Sequence, residues 1–225
     1  LTQELNRFPE AIRRFQVEAH SASRLEHDNI VNVIDYGRDE ETLYLVMELL
    51  KGETLQERMS QGPLALDEIV AVVVPVCEAL GHAHAAGIIH RDLKPANLFL
   101  QEGPEGNRTI KVLDFGISKL PTAGPGQLTS AAVMMGSPYY MSPEHARGEN
   151  TDGRADLYAL GVVLYEMVTG KVPFDGQTAR DVLLAHLSSP VPPPTAAGAP
   201  LPPPAERVIL RALRKKADER YQSAD

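Results

Sequence analysis

The stretch from Arg154 to Val168 constrains this chain most, because it is apolar on nearly every helical face. A surface helix carries a single apolar stripe, so a helix apolar all round must be enclosed by other elements. The sequence therefore predicts a buried central helix inside a mainly helical body. Other helical segments are at hand to enclose it. Asp67 is expected to cap a long helix that runs to about Ala86 and is ended by Gly87. Pro75 within it should kink that helix or remove one of its hydrogen bonds. Thr54 to Ser60 reads as a short helix, and Thr178 to Ser188 and Ala205 to Lys215 as two further ones. Between the last two, eight prolines fall in the fifteen residues from Pro190 to Pro204, which predicts an extended connector.

The first part of the chain has another character. Phe8, Ile12, Phe15, Ala19 and Ala22 recur at helical spacing, and Pro9 suits a first turn, so a helix is expected from Pro9 to Leu25. Two β-like runs follow, Ile30 to Tyr36 and Thr42 to Leu49, with a polar turn from Gly37 to Glu40. From Ile88 to about Ser142, short apolar runs (Leu98 to Leu100, Ile110 to Leu113) alternate with loops. The fold class is thus α+β, with a small mixed lobe followed by a helical one.

Composition excludes several functions. The net charge is −8 and no basic stripe appears, which argues against nucleic acid as a partner. The runs Ile69 to Val76 and Leu157 to Val168 are too short or interrupted for a bilayer span of about 20 apolar residues. Cys77 is the only cysteine, so no disulfide forms within the chain and a reducing, cytoplasmic setting is expected. Leu1 to Arg7 is polar and charged, so no signal peptide is expected there, and Leu1 is not a methionine, so the sequence is expected to begin inside a longer protein.

The chemistry concentrates in His90-Arg91-Asp92-Leu93-Lys94-Pro95-Ala96-Asn97, followed by Asp114-Phe115-Gly116. Phosphoryl transfer to a hydroxyl needs a carboxylate to orient the hydroxyl and accept its proton, and Asp92 suits that role. It needs cations around the moving phosphoryl group. Asn97 offers a neutral oxygen and Asp114 a charged one, a pair suited to Mg²⁺, with Mn²⁺ as the alternative. Lys94 lies between them and can touch the γ-phosphate. Asp92 alone reads more simply as a loop cap; the ordered set is what carries the functional reading.

That ordered set resembles the eukaryotic-type protein kinases, and most closely the bacterial serine/threonine kinases of that type. His90, Arg91, Asp92 and Asn97 meet the catalytic-loop pattern, residues 114 to 116 the Asp-Phe-Gly pattern, and Ser142-Pro143-Glu144 the Ala-Pro-Glu pattern with one departure. The resemblance covers essentially the whole chain. It implies a two-lobed kinase fold, with residues 1–47 as the remainder of the small lobe, 48–53 as the hinge and 54–225 as the large lobe. It also implies ATP as the phosphoryl donor and protein serine or threonine as the acceptor, the kinase itself included.

Further roles follow from the resemblance alone. Glu18 matches the partner of a phosphate-gripping lysine, Met47 the residue beside the adenine, and Glu48, Leu49 and Leu50 the hinge whose backbone reads the adenine edge. Glu53 is placed near the ribose, and Phe99 under the adenine where a smaller aliphatic side chain is usual. Lys94 marks the serine/threonine class. Arg91 matches a phosphate-gathering arginine, with Thr129 or Ser130 as expected autophosphorylation sites. Ser137 is placed to bridge Asp92 and Lys94. Asp156 matches a tether of the catalytic loop, Glu144 and Arg220 a buried ion pair, and Val33, Ala22, Phe115 and His90 a stack linking the lobes. His82 and His84 are taken as surface or packing residues, because residues two apart on a helix point to different faces. Cys77 is taken as an inert core thiol.

The sequence contains no Gly-x-Gly-x-x-Gly, and the family pattern would place the phosphate-gripping lysine just before Leu1. The chain taken alone is therefore expected to transfer little phosphate. A pseudokinase or scaffold is the competing reading, opposed by the intact Asp92, Lys94, Asn97 and Asp114. A small-molecule phosphotransferase of related fold is opposed by the run from Gly136 to Glu144, which suits a protein substrate.

Overall fold

The computed structural model describes residues 9–39, 42–103, 106–115, 138–198 and 201–225. Helix α1 spans Pro9–Ala22 and buries Phe15, Ala19 and Ala22, one face of the expected stripe. It packs on an antiparallel pair, β1 (Val33–Asp39) and β2 (Thr42–Met47), in which Val33 lies opposite Met47. The pairing continues through Asp39 opposite Thr42. The polar residues from Gly37 to Asp39 thus extend the strand expected to end at Tyr36.

At the boundary with the large lobe, β3 (Gly52–Thr54), β4 (Leu98–Glu102) and β5 (Arg108–Val112) form an antiparallel sheet in the order β3-β4-β5. Gly52 has φ 140°, and a Cβ there would lie 2.0 Å from the Leu100 carbonyl oxygen, so only glycine lets these two backbones pair. Helix α2 (Leu55–Ser60) follows at once. It is started by a capping box in which the Thr54 hydroxyl accepts from the Glu57 N–H and the Glu57 carboxylate accepts from the Thr54 N–H.

Helix α3 (Leu66–Ala85) begins at Ala65 with no side-chain cap. Asp67, expected to be the cap, instead lies in the first turn, where its charge favours the helix dipole. Its neighbour Glu68 takes both oxygens to the Arg58 guanidinium, at 2.7 and 2.8 Å, and so ties α3 to α2. Ile69, Val72, Val76, Ala79, Leu80 and Ala83 form the buried stripe of α3. The helix runs on through Pro75.

The large lobe closes with α4 (Pro143–Ala146), α5 (Arg154–Thr169), α6 (Ala179–Ser188) and α7 (Pro203–Ala212). Helix α5 is enclosed as expected: Leu157, Tyr158, Leu160, Val162, Val163, Tyr165 and Met167 are all buried. Gly161 lets α7 approach, since a Cβ there would meet the Ala212 Cβ at 2.8 Å. The proline-rich connector is not extended throughout. It holds a short 3-10 turn at Pro194–Ala197, and α7 starts at Pro203 rather than Ala205 because proline suits a first helical turn. Among the described residues no helix is long and apolar enough to cross a membrane.

Candidate active site

The loop from His90 to Asn97 joins α3 to β4 and is held from beneath by one carboxylate. Asp156, in the first turn of α5, is 1% exposed. Its Oδ2 accepts from the His90 N–H at 2.8 Å and its Oδ1 from the Arg91 N–H at 2.8 Å. Arg91 has φ 66°, a strained conformation for a residue with a side chain, and these two bonds help to hold it there. A third donor was not legible in the sequence. His84 Nε2 lies 2.8 Å from Asp156 Oδ2, and since a carboxylate only accepts, the ring must donate. The expectation that His84 is mere surface or packing is therefore corrected. His82, on another face, stacks near the ring of His27 at 5.3 Å.

His90 is fully buried and joins the two halves of the site. Its Nδ1 accepts from the Asp92 N–H at 3.2 Å, which makes Nε2 the donor to the Leu113 carbonyl at 2.8 Å. Its ring lies 4.8 Å from that of Phe115. The Leu113 N–H donates to the Asn97 carbonyl at 2.9 Å. Asp114, next in the chain, has φ 55°. One imidazole thus sets the spacing between the loop that carries Asp92 and the strand end that carries Asp114. Ala22, Val33, His90 and Phe115 are all buried.

Above this base, Lys94 Nζ donates to Asp92 Oδ2 at 2.8 Å. Asn97 Nδ2 donates to the Asp92 carbonyl at 2.8 Å and reaches its Oδ2 at 3.4 Å. With its nitrogen so used, Asn97 presents its amide oxygen, and Asp114 supplies a carboxylate. This oxygen pair fits a hard divalent cation that takes its remaining ligands from phosphate and water. Among the described residues no group of three or more His, Cys, Asp or Glu converges as a protein-only metal cage. A cleft of about 530 Å³ opens beside Lys94, lined in part by Gln56, Pro95, Tyr139, Tyr140 and Glu166. Tyr140 donates its hydroxyl to Glu166 at 2.6 Å. Burial pushes the Glu166 carboxyl above its ordinary value, against the pull of that bond.

The residues expected around the nucleotide sort differently. Met47 ends β2 and is 37% exposed, and Leu50 follows it after Glu48 and Leu49. Phe99 lies on β4, half-buried and opposite Thr54. Glu53, placed near the ribose by the resemblance, meets Arg108 at 3.1 Å and also binds Gln61. Glu48 turns its side chain to Lys111 at 2.9 Å and to the Asn32 N–H at 2.8 Å. Partial burial works to raise this carboxyl, but Lys111 and the Asn32 N–H outweigh it and hold it below its ordinary value. The side chain of Glu18, and Gly116, Thr129, Ser130 and Ser137, lie outside the described residues.

Away from the cleft, Glu144 and Arg220 form the expected pair, with parallel bonds of 2.8 and 2.7 Å. Cys77 is half-buried against the core, and burial pushes its thiol up, which disfavours reactivity.

The family model described as the protein kinase domain matches residues 3–223. The serine/threonine-protein kinase Pkn1 of Myxococcus xanthus is 44% identical over 223 residues, covering 99% of this chain and 32% of that protein. The serine/threonine-protein kinase PknB of Mycolicibacterium smegmatis is 39% identical, over 100% of this chain and 36% of that protein. The chain thus spans about a third of the length of these curated relatives. The crystal structure of the Mycobacterium tuberculosis PknI kinase domain superposes with a TM-score of 0.73 at 30% identity, over 100% of this chain and 79% of that one.

Proposed function

The chain belongs to the protein kinase family, and on that premise we propose that its natural protein moves the γ-phosphoryl group of ATP to serine or threonine hydroxyls of proteins. The observation that carries this reading is the Asp92–Lys94–Asn97 cluster, pinned to the Asp114 strand end through His90. Asp92 orients the acceptor hydroxyl and takes its proton. Lys94, bonded to Asp92, steadies that carboxylate and presents positive charge where the phosphoryl passes. Asn97 and Asp114 hold the metal, with Mg²⁺ preferred and Mn²⁺ the alternative, which when bound neutralises phosphate charge.

The cleft beside Lys94 gives a polypeptide acceptor room to lie across the loop. Thr129 or Ser130 is the proposed site of autophosphorylation, Arg91 the phosphate-gathering group and Ser137 the bridge to Asp92 and Lys94. Glu18 is assigned to the phosphate-gripping lysine, Glu48 and Leu50 to the adenine edge through their backbone, Met47 to a place beside the adenine and Phe99 to a place under it. The single Cys77 supports a cytoplasmic setting for the domain.

The test is phosphoamino-acid analysis after incubation of the full-length natural protein with γ-labelled ATP and Mg²⁺. Label on phosphoserine or phosphothreonine, alone or in an added protein, is the expected result. No covalent label in a folded protein would overturn the reading.

A further inference from the structure

Just beyond the printed ends of β1 and β2, the pairing of the two strands departs from the ordinary antiparallel rule at the residue that opens the expected hinge. Val33 lies opposite Met47, so the antiparallel register places Asn32 opposite Glu48. The Glu48 N–H donates to the Asn32 carbonyl at 3.0 Å, which makes this a pair that should exchange two bonds. The reciprocal bond goes elsewhere. The Asn32 N–H donates at 2.8 Å not to the Glu48 carbonyl but to Oε1 of its own side chain. The same oxygen accepts from Lys111 Nζ at 2.9 Å, and Lys111 reaches the Ile30 carbonyl at 3.4 Å. Lys111 is well placed to hold it, because the segment around Ile30 is stapled to β5. Val31 N–H bonds to the Val112 carbonyl at 3.0 Å, Val112 N–H to the Asn29 carbonyl at 2.8 Å, and Asn29 Nδ2 to the Ile110 carbonyl at 3.0 Å.

We propose that the Glu48 carboxylate, steadied by Lys111, stands in for the Glu48 carbonyl in the strand ladder and so leaves that carbonyl available to accept from the exocyclic amine of adenine. Glu48 and Lys111 are then positioning residues for nucleotide choice, though neither side chain touches the nucleotide. This rests on the ATP reading above. An Asn32 N–H without the carboxylate would turn to the Glu48 carbonyl, the acceptor that an antiparallel pair of this kind ordinarily supplies. The carbonyl would then be taken before adenine arrives. A glutamine at 48 keeps an oxygen of the same reach and should preserve the arrangement in part. A methionine at 111 removes the cation but leaves the carboxylate, and should weaken it in part.

The experiment measures calorimetric affinity of the full-length natural protein for Mg-ATP and for the Mg²⁺ complex of purine riboside triphosphate, which lacks the 6-amino group. Wild type should prefer ATP by about fivefold to tenfold, the worth of one such bond. Glu48→Ala should bring that preference close to one by weakening ATP alone, while Glu48→Gln and Lys111→Met keep an intermediate preference. Equal weakening of both nucleotides, or an undiminished preference in Glu48→Ala, would overturn the proposal. If Glu48→Ala fails to fold, an undiminished preference in Lys111→Met does so instead. Because binding is read apart from transfer, a protein that binds ATP selectively but labels no hydroxyl would defeat the kinase reading and leave this inference standing.

Discussion

Arg220 is 1% exposed and carries a charge, so its partners decide whether the large lobe holds. Its guanidinium meets both Glu144 oxygens, at 2.8 and 2.7 Å, and donates to the carbonyls of Arg214 at 2.8 Å, Arg154 at 3.0 Å and Lys215 at 3.0 Å. It also lies 4.9 Å over the ring of Tyr158, on the buried helix α5. Arg220→Met keeps the volume but leaves a carboxylate and three carbonyls without this donor. The cost of breaking one partner of such a pair is about 3–5 kcal/mol. For a chain of this size that lowers Tm by roughly 6–20 °C. Glu144→Gln keeps an acceptor for the guanidinium but removes the countercharge, and should cost about 2 kcal/mol. The two losses should not add, because each variant alone strands the other's partner. The double variant should recover at least ~1 kcal/mol of the sum. Thermal and urea unfolding near neutral pH measure all four proteins. A loss below ~1 kcal/mol for Arg220→Met, or strict additivity, would refute the reasoning.

Other perturbations follow from the same geometry. His84→Ala removes one of three donors to Asp156, so phosphoryl transfer should fall roughly tenfold with about 1 kcal/mol lost in unfolding; wild-type values in both assays would remove His84 from the clamp. Gly52→Ala forces a Cβ against the Leu100 carbonyl and should cost ~2 kcal/mol or more, read as a lower urea midpoint. His186 is fully buried against Tyr158, its Nδ1 2.8 Å from the tyrosine oxygen, and burial, helped by the Lys215 ammonium, lowers its pKa to about 4. Between pH 6.5 and about 4 the unfolded chain takes up a proton there that the folded chain refuses, so stability falls on acidification, by up to ~3 kcal/mol. His186→Phe should flatten that part of the urea-midpoint profile; an unchanged slope would contradict the assignment.

Some of this architecture was legible in the sequence because the signal was local. The all-round apolar pattern of α5 needs no partner to be read, and the helices expected from Thr54 and Thr178 begin one residue later, at Leu55 and Ala179. The spacing of Asp92, Lys94 and Asn97 likewise lies within one loop. Part of what escaped was set by distant partners. His84 finds Asp156 across 72 residues, and the helical period says only that His82 and His84 face apart, which they do. The resemblance spoke only for the backbone of Glu48, whereas its side chain is committed to Lys111, 63 residues on. Asp67 has the right chemistry for a cap and lies within the helix instead, because α3 starts at Leu66 without a side-chain cap. The helix α7 starts inside the proline-rich stretch because proline, which favours an extended connector elsewhere, also suits a first helical turn.

The central claim is that Asp92 serves as the proton acceptor of a phosphoryl-transfer centre. The most direct test compares wild type and Asp92→Asn in the full-length natural protein, with transfer from γ-labelled ATP and Mg-ATP affinity measured on the same samples. The account predicts that transfer falls by about 10²-fold or more while nucleotide affinity stays within a few-fold, since Asp92 faces the acceptor hydroxyl. Transfer in Asp92→Asn within about tenfold of wild type would contradict it.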